Sequence, residues 1–67
     1  MIYVNGKPAD VAAPATIREV LIGLDIDPEA PGIAIAVDSE IATRGAWPTH
    51  EVTEGAHVEI VTATQGG

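Results

Sequence analysis

Few side chains in this sequence are placed to do chemistry. His50 and His57 are the imidazoles, and their spacing is not that of a metal-binding pair. His57 falls at a position of an alternating pattern that faces solvent, so both read as ordinary surface residues. Asp25, Asp27 and Glu29 resemble a cation loop only superficially. Pro28 and Pro31 interrupt the twelve-residue pattern such a loop needs, and the closing glutamate is missing, so a solvated loop is the better reading. The sequence contains no cysteine, which removes thiol nucleophiles, disulfides, zinc ribbons and iron–sulfur ligation together. Asp38-Ser39 invites comparison with a serine that carries a prosthetic group, but Glu40 follows and the flanks read as strands rather than a helix bundle.

The informative feature is Gln65-Gly66-Gly67. Without Cβ atoms, two consecutive glycines allow an extended backbone to enter a narrow channel and set a carboxylate against another protein's reactive centre. At about 3.3 Å per residue, Thr62 to Gly67 would reach roughly 20 Å from the last strand. A free carboxylate is a poor acyl donor because it is anionic and its oxygen leaves badly. Adenylation with ATP would convert Gly67 to a mixed anhydride open to a sulfur or nitrogen nucleophile. The absence of cysteine fits a carrier that holds cargo on a terminal carbonyl and avoids disulfide exchange. The plain alternative is a frayed glycine-rich terminus.

The rest of the chain must hold that segment up. Alternation over Met1 to Val4, followed by Asn5-Gly6, predicts a strand and a tight hairpin turn. The second arm is expected over about Pro8 to Ala12, with Pro8 at a strand start or on an edge. Thr16 and Glu19 form a capping box, and Ile17, Val20, Leu21 and Leu24 recur with a helical period. A helix over Thr16 to Leu24 should lay that stripe on a sheet, with Gly23 at its fraying end or in a close contact. Residues 25–32 read as a loop. Ile33, Ile35 and Val37 alternate with Ala34 and Ala36 in the best strand, and Asp38-Ser39 turns it into Ile41 to Thr43. Arg44, Gly45, Trp47 and Pro48 mark an irregular crossing, Glu54-Gly55 a turn, and His57 to Val61 the final strand.

This order predicts an α+β domain: a mixed sheet of four to five strands with one main helix across one face. If the helix leads to a strand parallel with the first, the fold is a ubiquitin-like β-grasp. Residues 1–61 form the expected domain and residues 62–67 the expected flexible tail.

Composition narrows the setting. Sixty-seven residues bury only about 60% of their unfolded surface, so the core is thin. It must come from 8 Ile, 7 Val and 2 Leu plus alanines, because there is no Phe. Three cations against 10 carboxylates give a net charge of −7, which argues against a nucleic-acid partner. The apolar run Ile33 to Val37 is far short of the roughly 18 residues of a membrane helix, and no secretory signal is visible, so a cytoplasmic protein is expected.

Taken together, Val4-Asn5-Gly6, the Thr16 to Leu24 helix, Ile33 to Val37, Arg44 with Trp47, Glu54-Gly55, and Val58 to Ala63 running into Gln65-Gly66-Gly67 resemble the ThiS family of bacterial sulfur carriers in thiamine biosynthesis. The resemblance spans nearly the whole chain. It implies a β-grasp fold and a protein cosubstrate rather than an enzyme, with no cofactor and no metal of its own. Gly67 would be the covalently modified residue, and Gln65, Gly66 and Gly67 the segment threaded into a partner's channel. The implied partners are a ThiF/MoeB-like adenylyltransferase using ATP, thiazole synthase ThiG, and a sulfur donor such as a cysteine desulfurase or rhodanese-like protein. Thr64 departs from the apolar residue of the family's tail, and Asp38-Ser39 replaces an Asn-Gly-like turn. The alternatives are a molybdopterin-synthase-type sulfur carrier, ubiquitin-like conjugation, and a non-catalytic β-grasp binding module. Arg44 and Trp47 have two readings, a partner surface or a structural pair. The structural one is favoured, with Trp47 closing the core and Arg44 paired to a nearby acid.

Overall fold

The computed structural model of the chain describes residues 1–63. Strands β1 (Ile2–Val4) and β2 (Lys7–Ala9) form the opening hairpin, in register Ile2↔Ala9 and Val4↔Lys7. Asn5 and Gly6 both take positive φ, 52° and 82°, as a two-residue turn between right-twisted strands requires. The second arm is shorter than the expected Pro8 to Ala12. It ends at Ala9, and Val11 turns in to pack against the core and meet Gly23. Pro8 lies on an edge strand, where its missing N–H is tolerated.

Ala15–Thr16 (β3) pairs antiparallel with Glu51–Val52 (β6), a contact that periodicity over two residues cannot announce. Helix α1 (Ile17–Gly23) follows at once. Its N-terminus is closed reciprocally, as the sequence predicts. The Glu19 amide donates to Thr16 Oγ1 at 3.1 Å, and the Thr16 amide donates to Glu19 Oε1 at 2.8 Å. Ile17, Val20 and Leu21 are buried and Leu24 half-buried, so the predicted stripe does lie on the sheet.

β4 (Ile33–Val37) and β5 (Glu40–Ala42) make the second hairpin, with Asp38 and Ser39 at φ 49° and 72°. The pairing Val37↔Glu40 leaves those two residues as the whole turn, so β5 starts one residue before the expected Ile41. Arg44–Ala46 is a short 3₁₀ helix. β7 (His57–Thr62) closes the fold.

The five-stranded sheet has the order β2-β1-β7-β4-β5, and β3-β6 forms a separate two-stranded ribbon. β7 runs parallel to β1 and antiparallel to β4. This is a β-grasp fold, but its parallel partner for β1 is the last strand, not the strand after the helix. The loop over residues 24–32 lets the chain reverse before β4, so β4 runs against β1, and the slot between them is filled by β7. Ile2, Val20, Leu21, Ile35, Val52 and Val58 are fully buried between helix and sheet. Among the described residues, no helix is long and apolar enough to cross a membrane.

Candidate functional site

Thr64, Gln65, Gly66 and Gly67 lie outside the described residues, and with them the positions expected to be modified and threaded. What the structure does describe is how the chain is delivered to them. β7 runs through Thr62, one residue beyond the expected end of the domain, and Ala63 adds a further bond: its amide donates to the Gly32 carbonyl at 2.6 Å. The strand that leads into the glycines is therefore the central strand of the sheet and is paired to its last described residue.

Each side of β7 is held differently. On the β4 side the ladder is continuous, from Val37↔Val58 to Ile33↔Thr62. On the other side β1 stops at Val4, and the Asn5 side chain takes over. The Ile60 amide donates to Asn5 Oδ1 at 2.8 Å, and Asn5 Nδ2 donates to the Ile60 carbonyl at 3.2 Å. With the Asn5 amide on the Val58 carbonyl at 2.8 Å, one residue carries three bonds to β7. A groove of about 550 Å³, lined by Asn5, Gly6 and residues 57–61, runs beside this clamp.

Gly32 faces the clamp from the opposite side. It sits at φ 76°, and a Cβ there would lie 3.0 Å from the Ala63 carbonyl oxygen, so both conformation and space call for glycine. Neither Asn5 nor Gly32 stands out as a tail-holding residue in the sequence. The turn signal of Asn5-Gly6 is legible, but its second use depends on β7 lying alongside.

The sheet face away from α1 carries Tyr3, Ala34, Ala36, Ile41, His57, Glu59 and Val61. Ile41 is 79% and Val61 60% exposed, and with the two alanines they make a low apolar strip across β5, β4 and β7. His57 is exposed as expected, and its ring stacks on Tyr3 with centroids 4.9 Å apart. His50 is half-buried beside the helix start, where its backbone carbonyl accepts from the Ile17 amide. In the loop after α1, Asp27 Oδ1 accepts from the Glu29 amide at 2.9 Å, an Asx turn that occupies one of the three carboxylates of the cation-loop reading.

Trp47 is 2% exposed and donates from Nε1 to the Ala42 carbonyl at 3.1 Å, so it closes the core as expected. Among the described residues, no acid pairs with Arg44, contrary to the expected pairing. Its guanidinium carbon lies 4.5 Å from the Trp47 ring centroid, and its two terminal nitrogens donate to the Pro28 and Ala30 carbonyls. A planar fork held over an indole presents parallel N–H groups at a spacing that two loop carbonyls can meet, whereas a flexible carboxylate partner would gain little at this exposed site.

Two solved structures superpose on this fold. The crystal structure of the thiamine biosynthesis protein ThiS from Geobacter metallireducens superposes with a TM-score of 0.78 at 28% identity, over 98% of this chain and 97% of that one. A solution structure of a thiamine biosynthesis protein from Geobacter metallireducens gives 0.76 at 29% identity, over 98% and 86% of the respective chains. No curated protein matches the sequence. The ThiS family pattern itself matches residues 2–67, from the first strand through both glycines. A chain that keeps the order of strands, turns and helix of these proteins, and carries the family's pattern over all but its first residue, belongs to the ThiS family.

Proposed function

We propose that this chain is a sulfur carrier protein of thiamine biosynthesis, with the Gly67 carboxylate as the loading point. A ThiF/MoeB-like adenylyltransferase would activate it: the carboxylate attacks the α-phosphate of ATP and pyrophosphate leaves. A persulfide from a cysteine desulfurase or rhodanese-like donor then attacks the acyl carbon and AMP leaves. Release of the thiocarboxylate from the resulting acyl disulfide takes a second thiol, which the partners must supply because this chain has no cysteine. Thiazole synthase ThiG would consume the sulfur. The carrier contributes no catalytic residue and holds no cofactor; ATP belongs to the partner.

The observation that carries this reading is the family match through residue 67 together with the likeness to ThiS over 97% of that protein's length. The apolar strip with Ile41 and Val61 supports it as a docking face, and the net charge of −7 favours a cationic rim on the partner.

Incubation with ATP, the cognate adenylating enzyme and a sulfur donor, followed by intact-mass measurement, tests the proposal. Replacement of one oxygen by sulfur is expected. An unchanged mass with partners shown to be active would refute it and leave the binding-module reading. An isopeptide-linked product would point to conjugation instead.

A further inference from the structure

We propose that Arg44 is a positioning residue for the functional tail, acting through the loop over residues 24–32 rather than through any contact of its own with a partner. This rests on the reading that the residues beyond Ala63 do the work.

Trp47 is fixed in the core, and Arg44 is fixed on Trp47. From there the guanidinium reaches the Pro28 and Ala30 carbonyls, bonds to a segment 14 to 16 residues earlier in the chain. The loop's first part is held independently. The Asp25 and Ile26 amides bond back to the helix carbonyls of Ile22 and Leu21, and Asp27 caps its own turn. Between Ala30 and Gly32 stands only Pro31, whose ring fixes φ and passes on a displacement rather than absorbing it. Gly32 then offers its carbonyl to the Ala63 amide, the last described bond before the tail. The line of contacts runs Trp47, Arg44, Ala30, Gly32, Ala63. In a chain with 10 carboxylates and 3 cations, Arg44 spends its donors on two carbonyls instead of an acid, which marks the loop as what it is there to hold. A reacting atom that has to meet a partner's centre loses rate steeply when its approach is loosened.

Amide hydrogen exchange followed by NMR on the full chain, compared for wild type, Arg44→Ala, Arg44→Lys and Gly32→Ala, decides the matter. The antiparallel register puts the Glu59 and Val61 amides on the same β4 side as Ala63, so they serve as internal references. Arg44→Ala and Gly32→Ala should speed exchange at Ala63 roughly tenfold or more, with Glu59 and Val61 within about twofold of wild type. Arg44→Lys, with one point-like donor group in place of the fork, should give a smaller change in the same direction. With the adenylating enzyme, Arg44→Ala should lower kcat roughly tenfold and leave KM within about twofold, since the docking face is untouched. Unchanged exchange at Ala63 overturns the inference. So does uniform acceleration at all three amides, which would make Arg44 a support of the whole fold, and so does faster exchange with unchanged kcat. If wild type is never adenylated, the sulfur-carrier reading fails while the exchange data still judge the role of Arg44 at the tail exit.

Discussion

The side chain of Asn5 satisfies both backbone groups of Ile60, accepting from its amide and donating to its carbonyl, where a continued parallel strand would have needed two residues to do so. The hairpin can therefore turn away at Gly6 while β7 stays paired for another step. Asn5→Gly keeps the positive φ and removes only the side-chain amide. It should cost about 1–2 kcal/mol, at the lower end of what unpaired backbone groups cost because the site is exposed. Asn5→Asp keeps the acceptor for Ile60 N–H but sets an anion against the Ile60 carbonyl, so it should recover little of that loss. Urea unfolding midpoints for the two variants check this; equal stability to wild type in both would show that water replaces the clamp at no cost.

Ser39 holds φ 72° in the β4–β5 turn without being glycine. Ser39→Gly should relieve left-handed strain of about 1 kcal/mol, partly offset by the freer unfolded chain, for a net gain of about 0.5 kcal/mol. Asp38 must stay. Its Oδ1 accepts from the His57 amide at 3.0 Å and its own amide donates to the His57 carbonyl at 2.8 Å, which ties this turn to the start of β7. Thermal melts of Ser39→Gly and Asp38→Ala should move in opposite directions.

Trp47→Ala should be the most damaging single change in the chain, at about 3–5 kcal/mol. It leaves a cavity, strands the Ala42 carbonyl and removes the platform under Arg44. At about 0.1 kcal/mol per residue a domain of this size has about 7 kcal/mol of stability, so the variant should keep only about half of it or less and melt well below wild type. Far-ultraviolet circular dichroism measures this without depending on the lost indole.

Ile41→Glu tests the docking strip. At 79% exposure the substitution should change stability by less than about 0.5 kcal/mol. Affinity for the adenylating enzyme should fall roughly tenfold or more, because a charge would have to be desolvated on an apolar face. Calorimetric titration of wild type and variant gives both numbers; equal affinities would move the interface elsewhere.

Deleting Gly67 should leave the unfolding curve within error, because the described core draws its last members, Val58 and Ile60, from β7. It should abolish sulfur loading altogether. A deletion that lowers the melting temperature by several degrees would mean the last residue serves the fold.

Local physics explains how much could be read in advance. Thr16 with Glu19, the stripe Ile17-Val20-Leu21, and the alternation from Ile33 to Val37 are patterns whose cause and effect lie within one turn or one strand, and each formed where the spacing put it. Asn5-Gly6 and Asp38-Ser39 likewise dictate positive φ angles and hence hairpins. The β3–β6 ribbon, the early end of β2 and the identity of the strand beside β1 were not legible, since short pairings depend on partners thirty or more residues away.

By itself, then, the amino-acid order decided the helix, the two hairpin turns, the alternation of β4, the sign of the charge and the lack of any thiol, and it pointed to Gly66 and Gly67 as the place to look for chemistry. What holds the approach to those glycines was settled only by packing. Arg44 carries no mark that distinguishes a partner for an acid from a fork for two carbonyls, Gly32 looks like any loop glycine, and Asn5 like any turn asparagine. A hydrogen bond depends on where donor and acceptor meet in space, and those meetings exist only once β7 has slid between β1 and β4.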